Sequence, residues 1–196
     1  METSRRVLRA YRLCRCDPEL KDAGLLDVVP AYCSLALHFE PVEADRRGLE
    51  RRSRELLEAA AEVKTDDSDS EPGRGAHRLS VIYDGPDLDR VASRAGLSLR
   101  EIVRLHAAPE YTVAMIGFLP HFPYLIGMDP RLATPRLSSP RKNVPAGTVA
   151  IGGAQTGIYP EASPGGWNLI GSTDPKPLER IMPGDRVVFE ARERPP

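Results

Sequence analysis

The hydrophobic pattern of the first third of the chain has two periods. Residues 34–39 alternate, with Leu35, Leu37 and Phe39 on one face, which predicts a half-buried strand. Residues 44–63 repeat apolar side chains at helical spacing, beneath a face of arginine and glutamate, which predicts an amphipathic helix. These two patterns indicate a small α+β unit.

The stretch 64–77 breaks the pattern. It is acidic, contains serine, glycine and proline, and is nearly free of large apolar side chains. Such a composition favours a flexible linker, so we expect a domain boundary here, between residues 1–77 and 78–196.

Helical and strand patterns both follow this linker. Residues 79–83 predict a strand, and Pro86 is expected in the first turn of a helix that Gly96 ends. Ser98 begins a second helix, with Glu101 three residues later as a capping box.

The remainder of the chain predicts strands. Residues 111–118 carry the strongest strand pattern, and short strands are expected at 148–151, 167–170 and 186–190, between glycine and proline turns. This change from helical to all-β character is typical of a compact barrel or sandwich.

Composition narrows the function classes. The 196 residues are 41% hydrophobic and 28% charged, which indicates a soluble globular protein. A net charge of -1 argues against nucleic-acid binding and against a polybasic membrane anchor. The longest apolar stretch is interrupted by Pro30 and is too short to span a bilayer. The three cysteines lack zinc spacing, so we expect reduced cytosolic thiols and no metal site.

Glycine and proline are concentrated in residues 117–171. Twelve of the 19 prolines lie between Pro109 and Pro183. Proline-bounded loops that present polar side chains are a plausible pocket wall, and guanidinium groups in such a wall would bind a carboxylate or phosphate. The candidate ligand-binding residues are Arg131, Arg136, Arg141, Lys142, Gln155, Thr156, Tyr159, His121 and His106.

Each candidate has a structural alternative. The arginines can donate hydrogen bonds to loop carbonyls. A role in a turn or in the core is the alternative for Gln155, Thr156 and Tyr159. His106 can interact favourably with the dipole of the helix that it ends. We expect the aromatic residues Trp167, Phe122 and Tyr124 at a subunit interface. Short motifs for phosphate loops, dinucleotides, zinc proteases and serine hydrolases are absent from the sequence, so it indicates no catalytic residue and no bound cofactor.

Ordered strings in this segment carry a family resemblance. They include GFLPHFPYL at 117–125, ATPR at 133–136, QTGIYP at 155–160 and SPGGW at 163–167, with YDGPDLDRV upstream at 83–91. Together they resemble the family that contains the B subunit of 5-oxoprolinase, allophanate hydrolase subunit 1 and a sporulation-kinase inhibitor.

The resemblance implies a ferredoxin-like N-terminal part, followed by a cyclophilin-like β-barrel. It also implies a cytoplasmic component of an ATP-dependent amidohydrolase that converts 5-oxoproline to glutamate and is inactive alone. Its partners would be a protein like the enzyme's C subunit (allophanate hydrolase subunit 2-like) and a protein like its A subunit, with ATP as co-substrate of the assembly. Two alternatives stay open at this point: inhibition of a histidine kinase, and the allophanate hydrolase of a urea-degrading system.

The chain departs from the family pattern at three places. His121 and Ile126 each stand where the family usually has glycine. Residues 5–13 correspond to the helix that follows the family's first strand. We therefore expect the N-terminal sheet to lack that strand and to leave a backbone edge unpaired.

Overall fold

The computed structural model describes residues 2–62 and 76–193. The chain divides into two compact units, Met1–Gly73 and Arg74–Pro196. The predicted linker at 64–77 lies outside the described residues up to residue 75, and His77 already belongs to a strand of the second unit.

The first unit consists of helices against a two-stranded sheet. Its elements are α1 (Glu2–Cys16), α2 (Pro18–Asp22), β1 (Leu25–Pro30), β2 (Leu35–Phe39) and α3 (Arg46–Glu62). The predicted strand at 34–39 and helix at 44–63 are confirmed as β2 and α3. The short elements α2 and β1 were not predicted.

The apolar faces of α1 and α3 form the core of this unit with one face of the sheet. An ion pair adds to this packing, because Arg52 on α3 bonds the Asp17 carboxylate at 2.7 Å. Asp17 also caps α2 by accepting the Leu20 amide. These contacts hold the pKa of Asp17 below its usual range. The buried core residues are Tyr11, Cys14, Leu20, Val28, Leu49 and Leu56.

The sheet of the first unit has an open edge. β1 pairs with β2 in antiparallel register. Within residues 2–62, β2 has no strand on its other side.

The second unit is a barrel with two helices. Its helices are α4 (Leu88–Ala95) and α5 (Leu99–Ala107). The first strands are β3 (His77–Ile82), β4 (Glu110–Ile116), β5 (Pro123–Ile126), β6 (Arg141–Val144) and β7 (Thr148–Gly152). The others are β8 (Gln155–Ile158), β9 (Ser163–Gly165), β10 (Asn168–Ser172) and β11 (Arg186–Arg192).

Seven of these strands close on themselves. The order around the barrel is β10-β3-β11-β4-β5-β8-β7, with a parallel pair between β3 and β11 and antiparallel pairs elsewhere. Closure pairs every barrel strand on both sides, which is how small all-β units remove sheet edges. The short strands β6 and β9 form a separate pair. The predicted α+β class with a C-terminal barrel is confirmed.

Local signals in this unit are borne out with small shifts. Ser98 and Glu101 form the predicted capping box at the start of α5. Gly96 ends α4 with a left-handed φ of 65°, which glycine adopts without strain. α4 begins at Leu88, two residues after Pro86. The strand predicted at 111–118 ends at Ile116, because Phe118 has a φ of 69° that no strand accommodates.

Candidate functional site

A cavity of about 300 Å³ opens on one side of the barrel, and we call it the aromatic cavity. Most of its walls are aromatic rings, prolines and glycines, and one lining residue carries a charge. The lining residues are Phe118, Phe122, Tyr124, Arg136, Pro140, Tyr159, Pro164, Gly165, Gly166 and Trp167.

The rings of the cavity pack edge to face. Phe122 lies at the centre, with ring centroids 5.1 Å from Tyr159 and 5.6 Å from Trp167. Tyr124 contacts the same tryptophan at 5.6 Å. Edge-to-face pairs at these separations are favourable, so each ring fixes the orientation of the next.

Glycines allow the rings to approach the backbone. A Cβ at Gly152 would clash with the Trp167 ring, and one at Gly165 would clash with the Tyr159 hydroxyl. The glycine-rich sequence of β7, β8 and β9 is thus what admits the aromatic side chains.

Arg136 supplies the charge of the cavity. Its Cζ lies 5.6 Å from the centroid of the Trp167 ring, a cation–π distance. Within the described residues it has no carboxylate at ion-pair distance. Burial raises the pKa of Tyr124 and of Tyr159, and the positive charge of Arg136 opposes that rise at both phenols. The cavity therefore combines apolar walls with one cation that no acidic side chain in the described part of the chain neutralises, an arrangement that suits a small organic anion.

The other predicted cations are not among the residues that line the cavity, although Arg141 donates to the carbonyl of the wall residue Trp167 at 3.5 Å. Arg131 is exposed and pairs with Asp129 at 2.6 Å beside a 3₁₀ turn at Pro130–Leu132. Arg141 pairs with Asp87 at 2.7 Å, and the second oxygen of Asp87 accepts the Leu169 amide. Lys142 is exposed. Of the four predicted cations, only Arg136 lines the aromatic cavity, because Asp129 engages Arg131 and Asp87 engages Arg141.

His106 and Thr156 lie in the interior of the barrel. His106 Nε2 is 2.9 Å from Thr156 Oγ1, and the Thr156 hydroxyl donates to the Ala150 carbonyl. Thr156 must therefore accept from Nε2–H, which leaves Nδ1 to accept from the Tyr83 hydroxyl at 2.8 Å. Burial lowers the pKa of His106 to about 3.

This network corrects the ligand-binding prediction for both residues. His106 and Thr156 are fully buried, and their side chains satisfy each other. The helix-dipole alternative for His106 fails as well, because a neutral imidazole carries no charge to the end of α5.

The remaining polar candidates lie near the cavity without lining it. Gln155 is half-buried opposite Gly152, at the turn that joins β7 to β8. His121 is exposed and has a φ of 64°. A left-handed backbone explains why glycine suits that position better, and the imidazole is not among the groups that line the cavity.

Two of the three expected interface residues lie deep in the second unit. Phe122 is 1% exposed and Trp167 is 4% exposed. Both serve as cavity walls in this structure, and their contact with another subunit stays a prediction. Tyr124 is half-buried.

Sequence reasoning missed two residues, one in the cavity lining and one next to Trp167 in the chain. Phe118 is 60% exposed at the mouth of the cavity. Asn168 is fully buried, and its amide donates to the carbonyls of Pro135 and Ile151. Its oxygen accepts from Arg90. The sequence does contain a sign of this role, because Asn168 is the one polar residue in the otherwise apolar run 167–170.

Among residues 2–62 and 76–193, no three His, Cys, Asp or Glu side chains are grouped closely enough to hold a metal ion. No helix in these same ranges is long and apolar enough to cross a membrane.

Comparison with known proteins gives the family. The model of the carboxyltransferase domain, subdomain C and D, matches residues 2–179, which is most of the chain. The chain belongs to this carboxyltransferase-domain family. The match includes both units, and it contains every residue of the aromatic cavity.

Relatives of this carboxyltransferase-domain chain are named as the B subunit of 5-oxoprolinase. The protein of that name from Haemophilus influenzae is 50% identical over 179 residues, covering 86% of this chain and 80% of its own length. The one from Bacillus subtilis is 38% identical over 190 residues, covering 88% and 70%. The crystal structure of TTHA0988 superposes with a TM-score of 0.77 at 40% identity, covering 99% of this chain. This chain spans 38% of that solved chain.

Proposed function

We propose that this chain is the B component of an ATP-dependent 5-oxoprolinase, which hydrolyses 5-oxoproline to glutamate together with one partner like the enzyme's C subunit and one like its A subunit. The observation that carries the proposal is the extent of the match. Relatives named as the B subunit of 5-oxoprolinase align with 86% and 88% of this chain, so the likeness is not confined to one motif.

The chemistry explains why ATP is needed. A lactam is a poor electrophile, and transfer of the γ-phosphoryl group from ATP to its carbonyl oxygen activates the carbonyl carbon. Water adds to that carbon and the ring C–N bond breaks, with the electron pair and a proton going to nitrogen. A second water then releases phosphate from the acyl phosphate. The products are glutamate, ADP and phosphate.

Such a site must bind anions and control water. Cationic groups have to hold the carboxylate of the substrate and the transferred phosphoryl group, and water must be kept out until the activated lactam is formed. Arg136 in the aromatic cavity is a cation of the required kind on this chain.

The proposal is tested by reconstitution. The chain is co-expressed with the A and C components from one relative's system, and ATP-dependent glutamate release from 5-oxoproline is measured. We expect a stable complex whose activity is lost when this chain, either partner or ATP is left out. Failure to form a complex, or a complex that releases no glutamate, overturns the proposal.

A further inference from the structure

We propose that the aromatic cavity is the subsite for a small cyclic carboxylic acid, in which Arg136 binds the carboxylate and Trp167 and Phe122 hold the ring. This inference deepens the proposed function and rests on it for the identity of the acid, 5-oxoproline.

The first argument is charge. Three arginines lie between residues 131 and 141, and two of them are neutralised, Arg131 by Asp129 and Arg141 by Asp87. Arg136 instead extends over an aromatic ring and has no carboxylate at ion-pair distance among the described residues. A guanidinium presents paired N–H donors that match the two oxygens of a carboxylate. The ligand is therefore expected to supply the missing anion.

The second argument is size and polarity. The cavity volume of about 300 Å³ lies at the lower end of the range for small-molecule sites, roughly 300–1,000 Å³. A one-ring acid fits such a volume better than a nucleotide does. The walls are aromatic rings and prolines, so the part of the ligand that lies deeper than Arg136 is expected to be an apolar ring face.

The third argument is a hydrogen bond available to the ring. Tyr159 lines the cavity, and a neutral phenol carries one O–H donor. Tyr159 is neutral at physiological pH, because burial raises the pKa of its phenol. A lactam carbonyl is an acceptor of the right kind for that proton. Charge at one end and a donor along one wall would orient a cyclic lactam acid in a single direction.

The mouth of the cavity is consistent with a ligand site. Phe118 has the strained φ of 69° and is 60% exposed, yet its ring lies edge-on to Phe122 at 5.6 Å. Strained backbone conformations of this kind are concentrated at active sites and ligand sites.

The experiment uses a reporter that the chain already contains. Trp167 is the only tryptophan of the sequence and lies in the cavity wall, so its fluorescence reports occupancy. The full chain, alone and in the reconstituted complex, is titrated with L-5-oxoproline. Ligand-observed NMR provides a second readout of the same binding. We expect a saturable change, and a much weaker response to 2-pyrrolidinone, which has the ring without the carboxylate.

Two variants make the test specific. Arg136→Gln is expected to weaken 5-oxoproline binding at least about tenfold, as loss of a charge-assisted pair does. Arg131→Gln is the matched control, an exposed arginine from the same segment, and should bind as the wild type does. In the complex, Arg136→Gln should raise KM more than it lowers kcat.

The outcomes separate this inference from the proposed function. Wild-type affinity in Arg136→Gln, equal loss in both variants, or no binding by either readout overturns the inference. If the complex releases glutamate with an unchanged KM in Arg136→Gln, the inference fails while the proposed function stands. If binding depends on Arg136 but the complex releases no glutamate, the cavity remains a carboxylate site and the proposed function fails.

Discussion

The Nε2 atom of His106 donates a hydrogen bond to Thr156 Oγ1 across 2.9 Å in the interior of the barrel. The bond joins the end of α5 to β8, residues 50 positions apart. The His106 ring also stacks on Phe189 of β11, with centroids 4.8 Å apart. One buried imidazole thus connects a helix with two strands of the barrel.

Removal of this imidazole should destabilise the second unit. His106→Ala would leave a cavity and take away the partner of the buried Thr156 and Tyr83 hydroxyls. We expect the free energy of unfolding to fall by about 2–4 kcal/mol. Urea unfolding followed by Trp167 fluorescence measures this, since the single tryptophan lies in this unit. His121→Ala, at an exposed histidine, is the control; an equal loss in both variants would contradict the role given to His106.

The same histidine should make the barrel sensitive to acid. The folded-state pKa of about 3 lies below the ~6.5 of an unfolded histidine. Between these values the unfolded chain binds a proton that the folded chain excludes, so stability is complete above about pH 6.5 and falls as the pH is lowered. The slope from one such group is about 1.4 kcal/mol per pH unit.

The variant His106→Gln isolates this contribution, because glutamine does not titrate. Its free energy of unfolding should change less steeply than that of the wild type between about pH 6.5 and pH 4.5. Carboxylates with lowered pKa, such as Asp129 at about 2, act at lower pH in both proteins. Parallel pH profiles for the two proteins would show that His106 is not the group responsible.

Backbone strain at His121 predicts a stabilising substitution. The φ of 64° places His121 in the left-handed region, which is unfavourable for a residue with a Cβ. Its side chain is exposed, so replacing it with glycine removes few contacts. His121→Gly should raise the free energy of unfolding by about 1 kcal/mol. His121→Ala keeps a Cβ and should not be stabilised. Thermal unfolding of the two variants measures this difference. Equal stability of His121→Gly and His121→Ala would contradict the backbone strain inferred at this position.

Close approach of Trp167 to the backbone makes Gly152 difficult to replace. A Cβ at Gly152 would clash with the indole ring, whereas one at Gly166 would have its nearest neighbour at 3.7 Å. Gly152→Ala should therefore destabilise the barrel by about 1–3 kcal/mol and displace the tryptophan, while Gly166→Ala stays within about 0.5 kcal/mol of the wild type. Urea unfolding and the Trp167 emission maximum measure both effects, and tolerance of Gly152→Ala would contradict the packing described.

The ion pair between Asp87 and Arg141 should act in stability and leave ligand binding unaffected. Asp87→Ala removes the partner of Arg141 and the acceptor of the Leu169 amide, so we expect a loss of about 3 kcal/mol. A double-mutant cycle with Arg141→Ala should give a coupling of about 1–3 kcal/mol. Neither single variant should change the affinity for 5-oxoproline. If Arg141→Ala lost affinity without losing stability, Arg141 would take part in ligand binding and this prediction would be wrong.

Much of the fold could be predicted because its signals are local. The alternation at 34–39, the helical spacing at 44–63 and the Ser98–Glu101 capping box each depend on a few neighbouring residues. The strands β5, β6, β8 and β9 were missed because they have only three or four residues, and most of them contain glycine or proline. Their pairing depends on contacts between distant segments, which a local pattern does not show.

The sequence predicted the kind of site and the segment that contains it, but only some of the residues that line it. Glycine and proline density pointed to residues 117–171, and the cavity lining lies there. The sequence could not separate Arg136 from Arg131 and Arg141, because the difference lies in which carboxylate each one meets. Asp129 is two residues from Arg131, but Asp87 is 54 residues from Arg141 and comes close only in the folded barrel.

The function assigned to this chain is decided most directly by comparing two substrates in one reconstituted complex. Release of glutamate from 5-oxoproline is measured beside turnover of allophanate, with ATP and with this chain as the B component. We predict ATP-dependent glutamate release and little or no turnover of allophanate. Turnover of allophanate without glutamate release from 5-oxoproline would show that the assignment is wrong.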